Sequence, residues 1–192
     1  TIRNPIDMIA SKKNMLIYHF FGKNDPLKVE LSDEVIEKEI IRAIFSWVVC
    51  SYEYSNNIGF PVLFESLKSD SRKLVIQKIC EYLAIPYENI MISDKNKLNL
   101  NGNELLFAGS SLKHVSNNKY NTTVGTSKLT LLSSEIQKIN QLVDLSPIEN
   151  LLDSDVSNFY KNFKLLWKYY DNPKIPELNN WFNLYKQGNS EK

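Results

Sequence analysis

The chain has 192 residues, 43% of them hydrophobic, with 23 Lys and Arg against 22 Asp and Glu and a net charge of +1. This length and apolar content suit one domain with a real core, or one domain with an appendage. The balanced charge excludes a field that would by itself draw in nucleic acid or an acidic surface, so any anion site must be built locally.

Thr1 and Ile2 read as the tail of a buried strand, and Arg3 as its exit. Asn4 is a good helix N-cap, Pro5 a favoured first helical residue, and Asp7 falls where a capping-box acid sits. A strand, a tight turn and a helix start bring free N–H groups and the positive end of the helix dipole together. Arg3 adds a fork of donors suited to phosphate oxygens. Ser11 lies one turn beyond Asp7 on the same helix face, so its hydroxyl can turn toward whatever Arg3 holds. The outline is an anion site, for phosphate. The same residues also read as an ordinary capped helix with an exposed Arg.

This first helix is predicted from Pro5 to about Phe21, with Ile6, Ile9 and Ala10 inward, Lys12 and Lys13 outward, and Gly22 at its end. Lys23 to Leu31 is a polar loop. Ser32 and Asp33 can cap a second helix to about Tyr54, with an apolar stripe of Ile36, Ile40, Ile44, Trp47 and Val48. Ser55, Asn56, Asn57 and Gly59 form a turn. Pro61-Val62-Leu63-Phe64 is continuously apolar and predicts a short buried strand, with Glu65, Ser66 and Leu67 at its end. A third helix starts at Ser69 or Asp70, runs to about Leu83 and is stopped by Ala84-Ile85-Pro86. A strand leading into an amphipathic helix is a βα unit, so the predicted fold class is α/β, with helices packed on a parallel sheet.

Ser93 to Asn103 reads as an exposed polar loop. Ser133 caps a helix with Ile136, Ile139, Leu142 and Val143 inward. Ser146-Pro147-Ile148-Glu149 is a capping box that opens a short helix. A last helix carries Val156, Phe159, Phe163, Leu166, Trp167 and Tyr170 at core spacing. Residues 171–192 form an aromatic tail with Trp181, Phe182 and Tyr185, set apart from a main unit over 1–170. Only Lys174, Lys186 and Lys192 accompany these rings, too few for a stacking platform for nucleic acid. Cys50 and Cys80 stand alone and the His residues are distant, which excludes a disulfide framework and a zinc site. There is no signal peptide and no apolar run approaching about 18 residues, so we expect a soluble protein, cytoplasmic rather than secreted. The chain opens on Thr inside a predicted strand, which suggests a segment of a longer protein.

The pattern Arg3-x-Pro5-x-x-x-x-x-Ser11 after a strand, with Asp7 inside it, resembles the 3′-phosphate-binding segment of sulfotransferases. These enzymes use 3′-phosphoadenosine 5′-phosphosulfate (PAPS) as sulfuryl donor. The resemblance implies that Arg3 and Ser11, eight positions apart, both contact the donor's 3′-phosphate. Phe64-Glu65-Ser66-Leu67, with Glu81-Tyr82-Leu83-Ala84-Ile85-Pro86 after it, resembles the family's aromatic-Glu-Asp-Leu segment and its Phe-Leu-Gly-Ile-Pro helix ending. Ser66 replaces the second acid and Ala84 the Gly, and in the family this segment mainly supports the sheet. Leu112 to Lys119 resembles a His-x-x-Gly-Asn segment, with Asn117 where Gly is expected; His114 also reads as a hydrogen-bonded loop histidine. That segment normally precedes a basic, glycine-containing loop over the 3′-phosphate. Here the loop falls within Lys119 to Lys128, with Lys119 and Gly125 as the implied lid residues and no Arg.

The resemblance covers roughly residues 1–170, as the family's C-terminal part. It implies a P-loop-like sulfotransferase fold present without its N-terminal half. It also implies sulfuryl transfer from PAPS to a hydroxyl or amine of a small-molecule or glycan acceptor, without metal. No Gly/Ser/Thr/Lys-rich turn for the 5′-phosphosulfate follows a strand here, and the catalytic base belongs to the family's other half. The segment alone is therefore expected to be inactive. The alternatives are a non-catalytic sulfotransferase-like module that binds a nucleotide or a partner protein, and a helical interaction domain outside the family.

Overall fold

The 23-residue helix Asp33–Ser55 is the axis of the fold. The computed structural model describes residues 1–21, 26–68, 70–89, 127–170 and 175–190. In chain order its helices are α1 (Pro5–Phe21), α2 (Asp33–Ser55), α3 (Phe64–Lys68), α4 (Arg72–Leu83), α5 (Ser127–Thr130), α6 (Ser133–Leu142), α7 (Ser146–Leu152), α8 (Val156–Phe163), α9 (Leu166–Tyr170) and α10 (Pro176–Ser190), with a 3₁₀ turn at Pro26–Lys28. Ser32 caps α2 as predicted, its hydroxyl accepting the Val35 N–H at 3.4 Å. Ile36, Ile40, Ile44, Trp47 and Val48 are all buried, and Ile41, Ala43 and Ser51 join them. The stripe is wider than predicted because α1, α6, α9 and α10 all lie against α2.

The expected α/β architecture does not form among the described residues. In place of a parallel sheet there is one parallel bridge, Ile2 to Leu63. The Ile2 N–H donates to the Val62 carbonyl and the Phe64 N–H donates to the Ile2 carbonyl, each at 2.9 Å. Helix α3 starts at Phe64, so Glu65, Ser66 and Leu67 are helical and the predicted strand shrinks to its central residue. A short apolar run satisfies a buried strand and a buried extended link equally well, so periodicity could not separate them. Pro61 also has no N–H to give a ladder. Such a short pairing is not stable by itself. Ile2 (2% exposed) and Leu63 (6%) belong to the same buried cluster as Trp47, and that burial holds the bridge.

Leu63→Ala should therefore destabilise the protein by about 2–3 kcal/mol in urea melts. This is the low end for a buried Leu, because half-buried Val62 and Phe64 beside it can settle into the gap. A loss below about 0.5 kcal/mol would place the bridge outside the cooperative core.

Further departures have local causes. Lys13, expected outward, is fully buried on Glu135 at 2.7 Å. Glu135, rather than Ser133, closes the start of α6 by accepting the Leu132 N–H at 2.7 Å. The Ser146 capping box does not form; Ser146 donates its N–H and hydroxyl to Asp144 Oδ1 at 3.0 and 2.6 Å. Leu142 is exposed, since α6 ends there and Val143 turns inward in its place. The predicted last helix divides into α8 and α9. The hydroxyl of buried Ser51 donates to the Phe163 carbonyl at 2.5 Å and accepts the Trp167 N–H at 3.0 Å, which bridges the break. The aromatic tail is helix α10. It places Leu178 and Phe182 in the core and sets Trp181 edge-on to Phe45, ring centroids 5.7 Å apart. No helix among the described residues is long and apolar enough to cross a membrane.

Candidate anion site

The bridge, the turn and the start of α1 form one constellation. The Trp47 indole Nε1–H, rising from α2, donates to the Arg3 carbonyl at 2.7 Å and sets where the chain leaves the bridge. Asn4 then caps α1: its Oδ1 accepts the Ile6 N–H at 2.9 Å, and its carbonyl accepts the Met8 N–H at 3.0 Å. Pro5 follows as the first helical residue, buried, as its fixed φ and missing N–H favour. The predicted capping-box acid does something else. Asp7 is 2% exposed and accepts the Ser127 N–H at 3.2 Å. The N-cap N–H of Asn4 goes instead to Glu65 Oε1 at 2.8 Å, from across the bridge.

Arg3 is half-buried, its guanidinium 5.1 Å from the centre of the Phe64 ring. The negative face of the ring attracts the cation. Ser11 is exposed on α1. Its neighbours on that side are fixed by α5: Asp7 accepts from Ser127, and Asn14 Nδ2 donates to Thr130 Oγ1 at 3.3 Å. Asp7, Ser11 and Asn14 follow helical i, i+4, i+7 spacing, so Ser11 lies along the row that faces α5. The chain therefore returns to the first turns of α1 at Ser127, inside the stretch Lys119 to Lys128 predicted as a lid. Lys119, Gly125 and His114 lie outside the described residues.

Among the described residues, the charges of Arg3 and Asp7 both act on the Glu65 carboxyl. Burial pushes the Glu65 carboxyl up from its ordinary value, and the charge of Asp7 adds to this. The Asn4 N–H, Glu65's own N–H and Arg3 work the other way. Among the described residues Glu65 Oε2, which is buried, has no hydrogen-bond partner, whereas Oε1 accepts the Asn4 N–H.

Sequence reasoning singled out Arg3 and Ser11 without placing Phe64 and Glu65 beside Arg3 and Asn4. Asn4 and Glu65 are 61 residues apart in the chain. What joins them is the parallel bridge, which adjacent residues cannot announce. Ala84 is informative in a different way. It stands where the resemblance expects Gly and adopts the left-handed conformation, φ 52° and ψ 39°, at the end of α4. A glycine there would carry no Cβ strain.

Two clefts lie elsewhere. One of about 800 Å³ is bordered by Val143, Asp144, Lys168, Tyr169 and Leu178, and one of about 270 Å³ by Phe60, Lys78, Tyr82, Tyr160 and Lys164. None of Arg3, Asp7, Ser11 or Glu65 borders either. Among the described residues no group of His, Cys, Asp and Glu is placed to hold a metal ion. Comparison of the chain with protein-family models, with curated proteins and with solved structures finds no match.

Proposed function

We propose that this chain binds the 3′-phosphate of PAPS and serves as the donor-binding part of a PAPS-dependent sulfotransferase. The acceptor class is a hydroxyl or amine on a small molecule or glycan. Arg3 and Ser11 hold the phosphate, and Lys119 and Gly125 close over it. The observation that carries the reading is the arrangement around α1. Arg3 leaves the bridge at a capped helix start, and Ser11 lies on the helix row to which the chain returns at Ser127. The helix N-terminus favours a phosphate electrostatically, and the Arg fork favours it geometrically.

Sulfuryl transfer needs an in-line geometry, charge stabilisation at the transferred group and a base for the acceptor. A 3′-phosphate clamp contributes none of these directly. It contributes binding energy at a remote point, which is useful where it orients the reacting end. Among the described residues no Gly/Ser/Thr/Lys-rich turn follows a strand. Residues 1–192 alone are accordingly expected to transfer no sulfuryl group from radiolabelled PAPS to any of a broad panel of acceptors. Turnover above background would put the reacting centre inside this chain.

The same absence favours a second reading, a non-catalytic module that binds a 3′-phosphorylated nucleotide. Titration calorimetry with 3′,5′-diphosphoadenosine and with adenosine 5′-monophosphate tests what the two readings share. Tighter binding of the first is expected, and equal binding removes the 3′-phosphate site. Turnover of PAPS by the intact protein then separates them.

A further inference from the structure

Glu65 is an odd neighbour for a phosphate site. One of its oxygens ties the bridge to the α1 cap at Asn4, while the other is buried and has no partner among the described residues. A dianionic phosphate beside Arg3 would meet the charges of both Glu65 and Asp7. Asp7 already accepts the Ser127 N–H. Glu65 is the carboxyl with an oxygen to spare. We propose that Glu65 takes up a proton from solvent when phosphate binds beside Arg3, and so acts as a positioning residue for that site.

The proton goes to Oε2. Oε1 keeps the Asn4 N–H, so α1 and Arg3 stay where they are. Protonation removes one negative charge from the site and gives Oε2 a donor in place of an unused acceptor. Among the described residues Arg3 and Asp7 are the charged groups that act on Glu65, Arg3 favouring its ionised form and Asp7 its neutral one. The arriving phosphate acts in the same sense as Asp7. Binding and protonation are linked, so each must strengthen the other by the same factor.

This inference rests on the 3′-phosphate reading, and the experiment separates the two. The Glu65 carboxyl is followed by carbon-detected NMR titration of the wild-type protein, with and without saturating 3′,5′-diphosphoadenosine. Its midpoint should rise on binding, and adenosine 5′-monophosphate should move it much less. In parallel, Glu65→Gln keeps an acceptor for Asn4 and cannot ionise. It should bind 3′,5′-diphosphoadenosine about 3- to 10-fold tighter than wild type at pH 8, the size of one like-charge contact at a partly buried site. That advantage should disappear as pH falls and wild-type Glu65 becomes neutral. Glu65→Ala removes the tie to Asn4 as well and should bind more weakly than Glu65→Gln at every pH. The wild-type titration does not depend on either variant folding. If the nucleotide shows 3′-phosphate-dependent binding but leaves the Glu65 midpoint unchanged, the proton-coupled role is overturned and the site stands. If no such binding occurs, both fall together.

Discussion

Lys13→Met is expected to destabilise the protein by about 3–5 kcal/mol, because it strands the buried charge of Glu135. Both side chains are fully buried, 2.7 Å apart, joining α1 to α6. Glu135 has further duties. Its Oε1 accepts the Leu31 N–H and its Oε2 the Leu132 N–H, each at 2.7 Å. Three donors thus converge on one carboxylate, which is what a buried charge needs to be tolerated. Glu135→Ala should therefore be the worse change, since it leaves a buried ammonium and two backbone N–H groups unsatisfied, the latter at about 1–3 kcal/mol each. Against a total stability of roughly 5–15 kcal/mol, that variant will be largely unfolded. The double change Lys13→Met with Glu135→Leu should recover only part of the loss. An apolar pair replaces the ion pair well, but it cannot accept from Leu31 and Leu132. Urea melts of the three variants decide this. A cost for Lys13→Met below about 1 kcal/mol would mean that water reaches the pair, as at a surface salt bridge.

Arg3→Ala is expected to weaken binding of 3′,5′-diphosphoadenosine by roughly 10- to 150-fold in the intact protein, and Ser11→Ala by about 2- to 12-fold. The difference follows from charge. Removing a charged partner of a dianion costs about 1.5–3 kcal/mol, and removing one neutral donor about 0.5–1.5 kcal/mol. Arg3→Lys should recover little. A point charge cannot reproduce a two-pronged contact. Arg3 also packs on Phe64, so part of any loss could come from a loosened turn. The ligand without the 3′-phosphate isolates that part. Both losses should shrink sharply for adenosine 5′-monophosphate. Equal losses with both ligands would mean that Arg3 and Ser11 only hold the turn, and the sulfotransferase reading would lose its main support.

Much of the local structure is legible in the residues themselves. The caps at Asn4 and Ser32 and the stripe of α2 depend on neighbours within a turn or two, where propensity and 3.6-residue spacing act directly. So does the proximity of Arg3 to a helix start. Other features needed partners far along the chain. Lys13 looked like a solvated charge until Glu135, 122 residues away, made its burial possible. Asp7 looked like a capping-box acid until Ser127 claimed it and Glu65 took over its cap. The largest error has the same origin. Pro61 to Phe64 has the composition of a sheet strand, but composition cannot supply the neighbouring strands that make a sheet. Among the described residues what pairs with it is Ile2, and the two form a single bridge held in a helical core by Trp47 and its neighbours. Sequence determined which segments coil and where charge collects. Tertiary structure decided which carboxylates meet which cations, because burial selects among pairings that are nearly equal in water and far from equal inside a protein.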